Sequence, residues 1–218
     1  MILAGIDEAG RGCVIGPLVI CGVAFRDEQI SHIKHLQIKD SKKISPRRRE
    51  HLYQIITKHC ENYVIEYISA KKIDNRERNA LSLNDLEISK MIDIINRLNA
   101  EKVYIDAIQS DILSFRLKIE SRLNKKIEII AENKADEKYL TVSAASILAK
   151  VSRDREIERL KEKLGDFGSG YPSDPRTKNW LEEFYKKYRY FPAEVRESWY
   201  TVDSIKKKYC QGTLNNYL

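Results

Sequence analysis

The order of apolar segments predicts an α/β protein with a mixed β-sheet flanked by helices and a helical C-terminal region. Two β-branched segments lie close together near the N-terminus, separated by a glycine-rich turn, which suggests antiparallel pairing. Farther along, strand and helix patterns alternate, which suggests parallel pairing through crossovers. After that the chain carries helical patterns only.

Taken in order, Ile2 to Ile6 is short and apolar and reads as a buried strand ending at Asp7. Leu18 to Phe25, following Pro17, is a second strand. Ser45 and Pro46 suit the N-cap and first position of a helix running into RRREHLYQIITKHC. Tyr63 to Ser69 alternates and reads as a third strand. LSLNDLEISKMIDIINRLN, Leu81 to Asn99, places apolar residues at three-and-four spacing, the mark of an amphipathic helix. Lys102 to Ile108 is a strand, Asp111 to Leu123 a helix and Lys126 to Ala131 a strand. Lys138 to Leu164 is helical, and its early small residues, VSAASILAK, suggest close packing or close approach of a ligand. Gly165 to Pro175 is a loop, and helices near Asn179 to Tyr188 and Val202 to Tyr209 precede a polar tail. No repeat or low-complexity linker divides the chain. Residues 1–209 are therefore expected to form a single domain and 210–218 a flexible tail.

With 42% hydrophobic and 33% charged residues the composition is that of a soluble globular protein. The net charge of +7 and pI near 9.1 favour a polyanionic partner. Cys13, Cys21, Cys60 and Cys210 form no CxxC pair or metal-ligand spacing, as in a reduced intracellular protein. No signal peptide or membrane-spanning stretch is read, so a cytoplasmic protein with no membrane contact is expected.

Three acids sit at ends of apolar strands. Asp7 ends the first, Asp106 lies in the apolar frame VYIDAI, and Asp136 follows IEIIA and opens a helix. A carboxylate in an apolar frame needs a cation or hydrogen-bond donors. The bland alternatives are a salt bridge or cap for Asp7 and Asp106, and a helix N-terminus for Asp136. Carboxylates without histidine or cysteine partners make a hard oxygen site suited to Mg²⁺ or Mn²⁺. Glu8 raises a difficulty, because neighbours on a regular strand face opposite ways. It reaches the same site only if the strand ends or bulges there, or through its backbone carbonyl.

Two other patterns carry no chemistry. Gly10, Gly12 and Gly16 faintly match a dinucleotide fingerprint, but Pro17 and a strand follow where a helix must open. His32, His35, His51 and His59 show no metal-ligand spacing and suit surface or structural roles.

The segments GIDEAGRG (Gly5 to Gly12), VIGPLV, DSKK (Asp40 to Lys43), YIDA (Tyr104 to Ala107), KAD (Lys134 to Asp136), SAASILAKVSRD (Ser143 to Asp154) and GSGYPSDPRT (Gly168 to Thr177) occur in this order. Together they resemble the ribonuclease HII family from the first strand to about Thr177. The resemblance implies a ribonuclease H-like fold and a metal-dependent phosphodiester hydrolase acting on RNA–DNA hybrids and on ribonucleotide-containing duplex DNA. It further implies two-metal-ion catalysis with Mn²⁺ or Mg²⁺ at Asp7, Glu8, Asp106 and Asp136. Gly10, Arg11 and Gly12 would read the ribose 2′-OH, and Tyr171 would stack on the following sugar. Lys42, Lys43, Ser146 and Lys150 would contact phosphates. Cys13 and Leu140 depart from prolines common in the family, and each is expected to loosen a local turn. The chain opens at the first strand, so the added domain of the related HIII type is not expected. A monomer is expected. Within the same broad fold a DNA nuclease or resolvase is the rival, and GRG and GYPSDP speak against it; a non-catalytic binder is opposed by the intact acids.

The last residues, QGTLNNYL, resemble a sliding-clamp peptide, with Gln211, Leu214, Tyr217 and Leu218 at its key positions. In such peptides Gln supplies polar anchoring while the apolar groups fill a pocket.

Overall fold

The computed structural model describes residues 1–36, 38 and 44–214, with side chains described as far as Cys210. Lys42, Lys43, Tyr217 and Leu218 lie outside the described residues, as do the side chains of Gln211 and Leu214. Five strands, β1 (Ile2–Ala9), β2 (Leu18–Arg26), β3 (Asn62–Ile68), β4 (Lys102–Asp106) and β5 (Glu128–Glu132), form one sheet in the order β3-β2-β1-β4-β5. β1 and β2 pair antiparallel from Ile2↔Arg26 to Ala9↔Val19. β1 and β4 pair in parallel from Leu3↔Lys102 to Ile6↔Ile105, and β4 and β5 also pair in parallel. The expected mixture of pairings is present. One boundary is corrected: β1 does not stop at Asp7, because Glu8 and Ala9 still find partners in Ile20 and Val19.

The helices are α1 (Asp27–Lys34), α2 (Pro46–His59), α3 (Ala70–Asn75), α4 (Leu83–Leu98), α5 (Ile112–Glu120), α6 (Ala135–Lys138), α7 (Leu140–Leu164), α8 (Pro175–Tyr188) and α9 (Tyr200–Leu214). Their starts follow local chemistry. Ser45 accepts a hydrogen bond from Arg48 N at 3.3 Å at the head of α2. Ser82 and Asp85 form a capping box on α4, and Asp111 accepts from Ser114 N on α5. Asp174 caps α8 with Pro175 at its first position, so that helix begins earlier than its apolar pattern. At the other end of the chain α9 continues to Leu214, where a flexible tail from Cys210 was expected.

The chain divides into two compact units: Met1–Ala9, Val19–Tyr67 and Leu81–Ser152 form the first, and Gly10–Leu18, Ile68–Ala80 and Arg153–Leu218 the second. In the first, glycines allow helices to meet the sheet on either face. A Cβ on Gly5 would lie 2.1 Å from the carbonyl carbon of Thr141 in α7, and one on Gly22 would lie 2.3 Å from Ile94 of α4. Gly5 pairs with Val23 and Gly22 with Ile6, so α7 and α4 cover opposite faces. Val19, Cys21, Val23 and Phe25 pack with Leu52 and Ile56 of α2 and with Ala144, Ala145 and Leu148 of α7. Burying side chains of the size of Leu52 or Ile56 contributes roughly 1.5–3 kcal/mol each. The second unit has its own core, including Val14, Ile15, Ile157, Leu160, Phe167, Leu181 and Val202. Among the described residues no helix is long and apolar enough to cross a membrane.

Candidate active site

Parallel pairing places two of the acids beside each other. The β1–β4 ladder ends at Ile6↔Ile105, so Asp7 and Asp106 are the next residues on neighbouring strands and face the same way. Asp7 is only 5% exposed. Burial pushes its carboxyl up to about 6; a hydrogen bond from Ser146 pulls it down, the Asp106 charge pushes it up, and Lys150 pulls it down. Lys150 Nζ donates to Ser146 Oγ at 2.8 Å, so Ser146, wholly buried, relays from Lys150 to Asp7.

Asp106 Oδ1 accepts the Ala135 N–H at 3.0 Å and thereby ties the end of β4 to the start of α6. Asp136 is the next residue. It is 4% exposed, and its Oδ1 has no hydrogen-bond partner among the described residues. Three of the predicted acids are thus drawn to one end of the sheet. Glu132, which ends β5, is a different case. It is tied to Lys138 and to the Tyr139 hydroxyl, the latter at 2.6 Å, and the Lys138 contact holds it below its usual range.

Glu8 does not turn toward Asp7 through a break in the strand. Its register with Ile20 is regular, and alternation sends the Asp7 and Glu8 side chains to opposite faces. The Glu8 N–H donates to Asp7 Oδ1 at 2.8 Å, and pairing of β1 with β4 has already ended by this point. The donor set is all oxygen, it concentrates like charge, and it includes a buried oxygen without a donor. That chemistry fits a hard divalent cation. Among the described residues no three His, Cys, Asp or Glu side chains are already drawn into a metal-ligand group.

The second unit holds the predicted substrate-reading residues. Gly10 has φ +83°, and a Cβ there would lie 2.8 Å from the Pro17 carbonyl oxygen, so only glycine suits the position. Val14 N and Ile15 N donate to the Gly170 carbonyl at 2.8 and 3.1 Å, which brings the loop before Tyr171 onto this turn. Gly12 is exposed, and a Cβ there would stand 3.9 Å from Tyr171 Cε1. The Arg153 guanidinium lies 4.8 Å from the Tyr171 ring centroid and donates to Ser169 O at 2.5 Å and to Cys13 Sγ at 3.1 Å. Cys13 therefore does not loosen the turn. Its N–H closes onto Gly10 O at 3.3 Å, a bond that proline cannot make, and its sulfur takes part in holding Arg153. Leu140 packs against the core of the first unit rather than freeing the start of α7.

Sequence reasoning missed two arginines that organise this unit. Arg153 is 8% exposed and Arg196 is 0% exposed; Arg153 lies within SAASILAKVSRD without being singled out there, and Arg196 lies in none of the family segments.

Comparison with known proteins agrees with this architecture. The family model described as Ribonuclease HII matches residues 4–202. A ribonuclease HII from Pyrococcus furiosus is 49% identical, covering 100% of this chain and 98% of the relative. The crystal structure of the ribonuclease H2 from Pyrococcus horikoshii superposes with a TM-score of 0.91 at 46% identity, covering 97% of this chain and 100% of that one. Ribonuclease HII from Archaeoglobus fulgidus, solved as a complex with PCNA, gives a TM-score of 0.85 at 46% identity over 91% of this chain and 95% of that one. The mixed sheet and its helices are a ribonuclease H-like fold. By matched family, full-length similarity and fold, the chain belongs to the ribonuclease HII family and is a type HII ribonuclease H nuclease.

Proposed function

We propose that this protein, acting as a monomer, hydrolyses the RNA strand of RNA–DNA hybrids and nicks on the 5′ side of ribonucleotides embedded in duplex DNA. The products carry 3′-hydroxyl and 5′-phosphate ends. The observation that carries the reading is the gathering of Asp7, Asp106 and Asp136 at one end of the sheet, with Asp7 made more basic by burial. These three side chains and Glu8, the latter through its carbonyl or its carboxylate, whose Oε2 is buried, would hold the cations. Bound there, a pair of Mg²⁺ or Mn²⁺ ions supplies an activated water and charge for the leaving oxygen.

The chain's own residues do the rest. Ser146 and Lys150 orient Asp7 from behind, which is the role their hydrogen bond supports better than direct phosphate contact. Gly10, Arg11 and Gly12 approach the ribose, where the 2′-OH alone separates RNA from DNA. Tyr171 presents its ring beside Gly12 for the sugar that follows. Lys42 and Lys43 contact phosphates. The test is a duplex with one embedded ribonucleotide: a metal-dependent nick 5′ to it is expected, and an intact strand would refute the function.

Gln211, Leu214, Tyr217 and Leu218 would dock on a sliding clamp. Support comes from the Archaeoglobus fulgidus relative, whose structure is a complex with PCNA, and from α9 reaching Leu214, which puts Gln211 and Leu214 one turn apart. Pull-down by the cognate clamp should succeed with the intact chain and fail with Tyr217→Ala, Leu218→Ala. Equal capture would remove the clamp from the reading.

A further inference from the structure

Among the described residues Arg196 is the largest wholly buried side chain, and the proposed chemistry makes no use of it. Its guanidinium is spent on the turn that follows β1. Nε donates to Gly16 O at 3.0 Å, Nη1 to Arg11 O at 2.7 Å and Nη2 to Gly10 O at 2.8 Å. The Arg196 N–H donates to Val14 O at 2.8 Å, and the Trp199 ring centroid lies 5.0 Å from the guanidinium carbon. A buried cation is costly unless its donors are satisfied. Here its partners are main-chain carbonyls: one side chain holds three residues of the turn, and the main-chain N–H of the same residue holds a fourth.

The consequence follows from peptide planarity. In a trans peptide the carbonyl and the next N–H lie in one plane and point in opposite directions. Fixing the Gly10 carbonyl on Arg196 therefore turns the Arg11 N–H away from the buried guanidinium. Fixing the Arg11 carbonyl does the same to the Gly12 N–H, and Gly12 is exposed, beside Tyr171. We propose that Arg196 is the positioning residue for ribose recognition, aiming the Arg11 and Gly12 amides outward by holding the carbonyls of Gly10 and Arg11. The inference rests on the reading that this turn senses the 2′-OH. Lysine is no substitute, because one ammonium cannot span three carbonyls as the planar fork does.

The test uses the full chain with Asp7→Asn, so that substrates stay intact, and compares two duplexes of one sequence, one with a single ribonucleotide and one all DNA. The parent should prefer the ribonucleotide by about tenfold, the scale of one well-placed hydrogen bond. Adding Arg196→Lys should bring that preference close to one while the all-DNA Kd moves by less than about threefold, because phosphate contacts carry that affinity. Should Arg196→Lys not fold, Trp199→Leu, which removes the ring beneath the guanidinium, is expected to move the preference in the same direction. A folded variant that keeps the parent's preference overturns the inference. So does an equal loss on both duplexes, which would mean that Arg196 merely holds the unit together. A parent without any preference would instead remove the reading of the turn itself, and the positioning role with it.

Discussion

At Asp7 the fold keeps a carboxylate 5% exposed beside a second acid on the neighbouring strand. Burial and the Asp106 charge push it up to about 6, against an ordinary value of 3.8. The sign for stability follows from linkage. The native state binds this proton more tightly than the unfolded chain, so Asp7 costs nothing below about pH 4. The cost grows as pH rises and is complete above about pH 6. In metal-free protein Asp7→Asn should therefore raise stability at pH 7.5 by roughly 1–3 kcal/mol, with the gain vanishing toward pH 4. Thermal melts across that range check it, and a variant less stable than the parent at pH 7.5 would contradict the burial argument. The same substitution should abolish cleavage. Added Mg²⁺ or Mn²⁺ should raise the melting temperature of the parent far more than that of the variant, because only an intact site binds the ion in the native state.

Among the elements, the crossing of α7 over β1 is the least tolerant. A Cβ at Gly5 would lie 2.1 Å from Thr141 C and 2.3 Å from Val142 N, both main-chain atoms of α7. Gly5→Ala should cost about 3 kcal/mol or more, and lower the melting temperature by about 6–12 °C, since a backbone cannot step aside as a side chain can. Removing a cap elsewhere is milder: Ser45→Ala should cost about 1 kcal/mol on the same melts. These elements differ in how legible they were. α4, with its three-and-four spacing and its capping box, was readable because both signals are local. β1 was read two residues short, since only pairing with Ile20 and Val19 extends it past Asp7. α1 and α3 are short and carry few apolar residues, so no periodicity announced them. At the candidate site, Asp7 and Asp106 were visible as acids in apolar frames. Arg196 was not, because its meaning lies in three carbonyls about 180 residues away in the chain, a separation that no pattern in the sequence encodes.

For the whole molecule, the net charge of +7 and the split between the two kinds of substrate contact lead to one further expectation. Lysines that meet phosphates release counterions, so binding weakens steeply with salt and without regard to the sugar. Contacts of the turn with a 2′-OH release none. If Lys42 and Lys43 each meet a phosphate, replacing either by alanine should reduce the slope of log Kd against log salt by about one. The ratio between ribonucleotide and all-DNA duplexes should stay unchanged. Arg196→Lys should do the reverse, leaving the slope and erasing the ratio. Titrations at several salt concentrations with the Asp7→Asn chain separate the two effects. A slope unchanged by both lysine substitutions would remove them from the phosphate path. A ratio that falls with the slope would mean that charge and sugar recognition are not divided between different residues in this protein.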